Sequence, residues 1–493
     1  MFMAILCSAG AWVFHSADDA PGRENIRGRA HGAAGGNGEG CRVRFAGVSV
    51  LVLGLARSGA SVARLLHGLG ARVTVSDARP EEELGEQVGV LRRLGVRTEF
   101  GGHPAELLDG VRLVVKNPGI PYDRPIIQAA LAREIPVVTE VEVAGAVARA
   151  PIMGITGSNG KTTTTSLVAE MFRLAGMPAL AVGNIGTPLS DSALSAGEDT
   201  WLVTELSSFQ LQGTVDFHPR IAALLNIYPA HLDYHGTMDD YMAAKMKIFA
   251  NQTAQDVAVV NADQPGAWQA ADLRAQVWRV SLKGAVERGV YVDGPALVQR
   301  GGQDDSGKPI AALDDIALPG RHNLENAAMA SALALAAGVA PGAVAEALAT
   351  FRGVEHRTEY VRTVDGVRFF NDSKATNPTA AIQALTSFGD PLVVILGGLE
   401  RGDDLGTLAA ALAGRVRAVV AIGESAPRME AAARAAGVAQ VARAATLEEA
   451  VTLARAAAQS GDVVLLSPAA ASWDMFSSYE ERGRIFKQAV HML

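Results

Sequence analysis

From Gly47 onward the sequence alternates short apolar runs with amphipathic stretches, and this alternation constrains the fold more than any other feature. The run "VSVLVLGL" (48–55) reads as a buried strand ending in a glycine turn. "SGASVARLLHGLG" reads as a helix with a glycine stop, and "ARVTVSD" (71–77) as the next strand. "VRLVVKNPGI" and "IPVVTE" continue the series. Strand–helix alternation of this kind implies a parallel sheet covered on both faces. A second block begins at "APIMGITGSNGKT" and runs through "TWLVTELSS", "IAALLNI" and "VAVVNAD". Residues 285–315 are rich in Gly and Asp with short β-like runs, and "RHNLENAAMASALALAAG" reads as a helix. A third block starts near Gly353 and includes "LVVILGG", "RAVVAIG" and "DVVLLSPA". Three α/β domains in series are therefore expected, at 46–140, 141–353 and 354–493, in keeping with a chain of 493 residues.

The second block carries a phosphate loop. A strand (Ile152–Thr156) leads into Gly157, Ser158, Asn159 and Gly160, then Lys161, Thr162 and Thr163 open a helix. Backbone N–H groups at a helix N-terminus favour phosphate oxygens. Lys161 would reach the β- and γ-phosphates, and the Thr162 hydroxyl would ligate Mg²⁺. The strict G-x-x-x-x-G-K-[ST] pattern fails only at its first position, which is Ile155. The central domain is thus expected to be a P-loop-type ATPase module. Glu205 ends the strand in "VTELSSFQL", the end of an α/β strand where functional side chains gather. His231 follows the strand in "NIYPAHLDYHG". Taken alone, His231 reads as structural or solvent-facing, and Lys245 in "DDYMAAKMKIF" reads as a surface lysine.

The first domain has a weaker signature. "VLGLARSGASVA" (52–63) nearly spells G-x-G-x-x-G, with Ala56 in the middle, and Asp77 sits where a ribose-binding acid would. By itself this fits a Rossmann-like NAD site, and a dinucleotide-dependent oxidoreductase stays open on these residues.

Composition excludes several classes. The net charge of −8, with both signs interspersed, lacks the basic footprint of a protein that binds polymeric nucleic acid. The two cysteines, Cys7 and Cys41, allow no disulfide framework or Cys-based zinc site in the body of the chain, which suits a cytoplasmic protein. No apolar run is long enough for a membrane span. "MFMAILCSAGAWVFHSA" has an apolar stretch but no positively charged start, so it does not read as a signal peptide. Residues 1–45, with the Gly-rich "HGAAGGNGEG", are expected to be a disordered extension or the product of a wrongly placed start, with the true start near Val43.

Taken together, "TGSNGKTTT", "GNIG" (183–186), "ELSSFQL", "NIYPAHLDYHG…YMAAKMKIF" and "GRHNLENAAMA" resemble the Mur ligases, ATP-dependent amide-forming enzymes of peptidoglycan precursor synthesis. "FNDSKATNP" (370–378) and "SPAAASWDMFSSYEERG" (467–483) resemble the branch that adds D-glutamate to UDP-N-acetylmuramoyl-L-alanine. The Asp-Asn-Pro-Arg-type motif of the diaminopimelate- or lysine-adding relatives does not occur. Other amide ligases, such as folylpolyglutamate synthase, and a catalytically dead binding protein are the remaining alternatives. The likeness runs from about residue 46 to the end, and residues 1–45 have no counterpart in it.

The resemblance implies an acyl-phosphate route and a set of residue roles. Thr162 and Glu205 would hold one Mg²⁺, and His231 a second. Lys245 would carry a CO₂-derived carbamate that gives the second metal an oxygen ligand. Asn184 would contact substrate near the acyl phosphate, Asn323 the adenine, Arg357 the ATP phosphates on domain closure, and Asp372 the ribose. Ser58, Asp77, Arg79 and Gly119 of "NPGI" would frame the UDP part of the substrate. Lys374, Thr376, Arg401, Ser472 and Tyr479 would form the D-glutamate pocket of a Rossmann-like C-terminal domain. Arg401 stands where the family often has Lys, and a family member can have Phe at the place of Tyr479. A monomer, with ATP, UDP-N-acetylmuramoyl-L-alanine and D-glutamate as partners, is expected.

Overall fold

The computed structural model describes residues 5–6, 12–13 and 45–493, except 185, 265, 267, 269–272, 302–306 and 319. The expected disordered stretch 1–45 therefore lies outside the described residues, apart from Phe45 and two short strands, Ile5–Leu6 and Trp12–Val13, which pair antiparallel. The chain forms two compact units. One comprises residues up to Ile316 together with Asn323–Ala349, and the other comprises Ala317–His322 with Thr350–Leu493.

Besides the short Ile5–Leu6 and Trp12–Val13 pair, the described residues of the first unit form two sheets. The N-terminal one contains β1 (Ser49–Leu53), β2 (Arg72–Asp77), β3 (Arg97–Phe100), β4 (Leu113–Lys116) and β5 (Val137–Val138). They run parallel in the order β3-β2-β1-β4-β5. Edge strand β3 has the sequence "RTEF", which has no apolar run, because an edge strand needs little burial. After β1 the chain enters the helix Arg57–Gly68, which turns Val62, Ala63 and Leu66 inward. A Cβ on Gly59 would lie 1.9 Å from the Gly54 carbonyl oxygen, so only glycine lets this helix approach the strand so closely. Strand order reverses between β1 and β4, and such a switch point opens a ligand crevice at the carboxyl ends of the strands.

The second sheet has nine strands: β6 (Ile152–Thr156), β7 (Ala179–Gly183), β8 (Trp201–Glu205), β9 (Ile221–Leu224), β10 (Val257–Asn261), β11 (Gln276–Ser281), β12 (Gly289–Asp293), β13 (Ala296–Arg300) and β14 (Lys308–Ala312). Their order is β14-β13-β12-β11-β10-β9-β6-β8-β7. The expected parallel pairing holds from β7 to β12, whereas β13 and β14 are antiparallel. Only Gly294 and Pro295 separate β12 from β13. Two residues can make a hairpin but cannot make the crossover a parallel pair requires. One apolar core joins the two sheets of this unit, from Val52 and Val75 to Leu202 and Val260.

The second unit is built on a six-stranded sheet: β15 (Glu359–Val364), β16 (Val367–Asn371), β17 (Leu392–Gly397), β18 (Val416–Ile422), β19 (Gln440–Arg443) and β20 (Val463–Leu466). The order is β15-β16-β20-β17-β18-β19, parallel except for the edge strand β15. Asp365 and Gly366 join β15 to β16, and both have positive φ (49° and 79°). This is the hairpin turn that Asp-Gly favours, and it adds an antiparallel edge strand that the reading of the third block did not include. Along β17, Val394 and Leu396 enter one apolar cluster and Val393 and Ile395 the other, so both faces are covered by helices.

Candidate active site

The phosphate loop lies where the sequence places it, between β6 and the helix Lys161–Leu174. Gly160 has φ 81°, and a Cβ there would sit 2.0 Å from Asn326 Oδ1, so the turn into the helix admits only glycine. Asn226 braces the loop: Ser158 N–H donates to its carbonyl (2.9 Å) and Asn159 N–H to its Oδ1 (2.9 Å). Asn326 Nδ2 donates to Asn323 Oδ1 at 3.3 Å, which places Asn323 beside the same turn. Asn226 and Asn326 were missed as loop supports, although both lie inside quoted motifs, because their role depends on a tertiary contact.

Thr162, Glu205 and Asn184 form one hydrogen-bonded set. Thr162 Oγ1 donates to Glu205 Oε2 and Asn184 Nδ2 to Glu205 Oε1, each over 2.8 Å. Glu205 ends β8 beside β6, and parallel pairing brings both strand ends to one edge. The Glu205 carboxylate is buried, with only 1% exposure. Among the described residues no group of three His, Cys, Asp or Glu could cage a metal. A hydroxyl and one carboxylate nevertheless suit Mg²⁺, a hard ion that is commonly held by one or two carboxylates plus substrate phosphates.

Lys245 is not a surface lysine. It is 2% exposed, because the helix Met238–Met246 turns Tyr241, Ala244 and Lys245 inward at helical spacing. Its Nζ donates to the Gly157 carbonyl (2.9 Å) and to Thr156 Oγ1 (3.5 Å), and lies over the Tyr241 ring (4.8 Å). Lys161 Nζ folds back to the same Gly157 oxygen (2.8 Å) and to Ser158 O (2.9 Å). Burial, reinforced by the Lys161 charge and only partly opposed by Glu205, lowers the Lys245 ammonium to about 6. His231 precedes the short helix Leu232–His235 in a left-handed conformation (φ 56°), with its ring edge-on to Phe209 at 4.9 Å. Its ring is 6.3 Å from that of Tyr241, whose hydroxyl meets Ser158 Oγ at 2.9 Å. Tyr241 thus connects His231, Lys245 and the loop.

In the N-terminal sheet, Asp77 Oδ2 accepts from Leu55 N–H (2.7 Å), and Arg79 grips both oxygens (Nε to Oδ1 3.0 Å, Nη2 to Oδ2 2.9 Å). Burial opposes the charge on Asp77, but the bonds from Arg79 and Leu55 outweigh it and hold the carboxyl at about 2. Asn117 Nδ2 donates to Ser58 Oγ (3.2 Å), and its Oδ1 accepts from Gly119 N–H (3.2 Å). Ser58 and Gly119 are therefore joined by Asn117.

The second unit gathers the remaining residues around the end of β16. Asp372 accepts from Thr358 N–H (3.1 Å) and Ser467 Oγ (2.9 Å), and burial raises its carboxyl to about 7 despite these bonds and nearby Arg357. Lys374 Nζ lies over the Tyr479 ring at 5.4 Å, and Thr376 N–H donates to Lys374 O (2.9 Å). Arg401 lies over the exposed Trp473 ring at 5.0 Å, next in sequence to the buried Ser472. Arg482 was missed. It is 0% exposed and ties Ser373 (Nε to Oγ, 3.0 Å) to the Ala470 carbonyl (Nη2, 3.1 Å), so it joins the two loops that carry these residues. A charged residue in "SYEERGR" gives no such signal in sequence.

A phosphate loop with a carboxylate at the neighbouring strand end, on a sheet accompanied by two further α/β sheets, defines a multidomain nucleotide-triphosphate-using enzyme. Family models narrow that class. The Mur ligase middle domain matches residues 155–334, the Mur ligase glutamate ligase domain 356–470, and the Mur ligase MurD-like N-terminal domain 48–139. The chain belongs to the Mur ligase family. It is 48% identical to the UDP-N-acetylmuramoylalanine--D-glutamate ligase of Geobacillus sp. (strain WCH70), over 90% of this chain and 97% of that relative. The protein of that name from Bacillus cytotoxicus is 46% identical, with 90% and 98% covered. Among solved structures, the UDP-N-acetylmuramate-alanine ligase MurC of Thermotoga maritima superposes with a TM-score of 0.50 at 20% identity, covering 90% of this chain and 99% of that one. MurF ligase from Thermotoga maritima in complex with ADP gives 0.50 at 17% identity, covering 85% and 95%. These two share the fold. Among the described residues no helix is long and apolar enough to cross a membrane.

Proposed function

We infer that this chain is the ATP-dependent ligase that joins D-glutamate to UDP-N-acetylmuramoyl-L-alanine in peptidoglycan precursor synthesis. The observation that carries the reading is near-full-length identity of 46–48% to relatives named for that reaction. The domain assignment proposed is 46–140 for the UDP substrate, 141–353 for ATP and 354–493 for D-glutamate.

The chemistry asked of the site is severe. A carboxylate is a poor electrophile, so it must first take the γ-phosphoryl group of ATP, releasing ADP. The D-glutamate amine then attacks the acyl phosphate, losing a proton and displacing inorganic phosphate as the amide forms. Charge accumulates in both steps, and fixed cations and hydrogen-bond donors stabilise it. Lys161 and the N–H groups of residues 157–162 would hold the triphosphate. Thr162 and Glu205 would hold one Mg²⁺, and His231 with Lys245 a second. Bound there, Mg²⁺ would supply positive charge that offsets the negative charge gathering in both steps. Asn184, already fixed by Glu205, would orient that carboxylate. For Lys245 to serve an anion-seeking metal, its neutral amine attacks CO₂ and releases one proton, leaving a carbamate. Its burial and lowered pKa support that chemistry.

Ser58, Asp77, Arg79 and Gly119 would frame the UDP group. Asn323 would meet the adenine, Arg357 the phosphates and Asp372 the ribose. Lys374, Thr376, Arg401, Ser472 and Tyr479 would bind D-glutamate. We take the enzyme to be a cytoplasmic monomer. The deciding experiment is phosphate release from ATP with UDP-N-acetylmuramoyl-L-alanine, comparing D-glutamate, L-glutamate and diaminopimelate as acceptors. Turnover with D-glutamate alone is expected, and preference for another acceptor would refute the reading.

A further inference from the structure

Lys116 ends β4 and is completely buried (0% exposed). Its Nζ donates to the carbonyls of Ile120 (2.9 Å) and Pro118 (3.2 Å) and to the Tyr234 hydroxyl (3.1 Å), with the Tyr122 ring centroid 4.5 Å away. Tyr234 OH in turn donates to the same two carbonyls, at 3.1 and 3.2 Å. All the oxygens named are neutral. An ammonium buried without a counter-ion is unfavourable, and a well-packed apolar residue is often no less stable in such a place. The geometry gives the charge a use. Pro118 and Ile120 flank Gly119, whose N–H is held by Asn117, which also holds Ser58. Tyr234 belongs to the central sheet's side of the unit: it packs edge-on to Phe209 (4.5 Å), which also carries the His231 ring (4.9 Å).

We infer that Lys116 is a positioning residue for the nucleotide end of the UDP substrate, clamping the carbonyls on both sides of Gly119 to Tyr234 so that the nucleotide frame is held from the ATP-binding module. The inference rests on the reading of Ser58, Asp77 and Gly119 as that frame. Lys116 acts through the loop and touches no reacting atom. Burial lowers the Lys116 ammonium to about 7. In its charged form it makes charge-assisted hydrogen bonds, which hold a loop more firmly than neutral ones, and the three acceptors surround one donor group that can serve them all.

The test is calorimetric titration of Lys116→Met with UDP-N-acetylmuramoyl-L-alanine and, separately, with Mg-ADP, together with steady-state kinetics. Loss of the clamp should weaken substrate binding about tenfold, in line with removal of a hydrogen bond to a charged group. KM should rise in the same proportion while kcat and ADP affinity change by less than about twofold. Substrate affinity within about twofold of wild type overturns the inference, as does an equal loss of ADP affinity, which would mark a general structural role. Asp77→Asn separates the two layers: if it weakens substrate binding and Lys116→Met does not, only Lys116 is misread. If neither does, the frame itself is misplaced. Should Lys116→Met fail to fold, Tyr234→Phe decides, with a weakening of about threefold expected and unchanged affinity refuting the clamp.

Discussion

Lys161 and Lys245 donate to one oxygen, the Gly157 carbonyl, at 2.8 and 2.9 Å. Burial, with the Lys161 charge beside it, disfavours the ammonium form of Lys245. The phosphate loop thereby holds a lysine with a disfavoured charge against its own Gly157 carbonyl.

That amine gives a pH prediction. With its pKa near 6, Lys245 is more than about nine-tenths neutral at pH 7.4 and is competent to take up CO₂. Carbon-13 NMR with labelled bicarbonate should show one carbamate resonance at pH 8 that fades below about pH 6 and is absent in Lys245→Ala. The same variant should lose most activity and regain part of it with added short-chain carboxylic acids. Full activity without them would remove the carbamate from the mechanism. The stability sign follows from linkage. A lysine whose folded pKa is lowered binds its proton more readily when unfolded, so its contribution is lost as pH falls from about 10.5 through about 6.

Glu205→Gln keeps the side-chain size and an acceptor for Thr162 but removes the negative charge. The expected result is a fall in kcat of about a hundredfold or more at saturating ATP, with some loss of thermal stability because the second acceptor, which Asn184 uses, is replaced by a donor. Rates within about threefold of wild type would show that Glu205 does not hold a metal.

Gly160→Ala should abolish ATP binding, since the new Cβ would collide with Asn326 Oδ1 and the left-handed backbone adds a further ~1 kcal/mol or more. The double variant with Asn326→Ala removes the collision but not the backbone strain. It should recover stability only in part, as read by thermal unfolding.

Glu140 is fully buried, accepts from Ser190 N–H (2.6 Å), and has an Oε2 without a hydrogen-bond partner. Burial raises its carboxyl to about 7. A raised folded pKa means stability present below about pH 4.5 and lost as pH rises through about 7. Glu140→Gln, which mimics the protonated acid, should melt above wild type at pH 8.5 and level with it near pH 5. A difference independent of pH would show that Glu140 is not the titrating group.

Much of this protein is set by local chemistry that a linear reading exposes. Short apolar runs fixed the parallel strands, and Gly157–Thr162 after a strand fixed the phosphate loop, because both depend on neighbours in sequence. Glu205 was visible as a candidate because strand ends in parallel sheets face one edge. The antiparallel pairs β12–β13 and β15–β16 carry a local signal that the linear reading passed over, in "VDGP" and "VDGV", where a two-residue link permits only a hairpin. The tertiary structure alone decided the charge states and the contacts across elements. Lys245 in "YMAAKMKIF", Lys116 in "VVKNPGI" and Arg482 in "YEERGR" look solvated in sequence, since lysine and arginine usually are. Packing removes water from each and puts protein oxygens in its place, and that exchange, which depends on residues distant in the chain, is what fixes where each side chain lies.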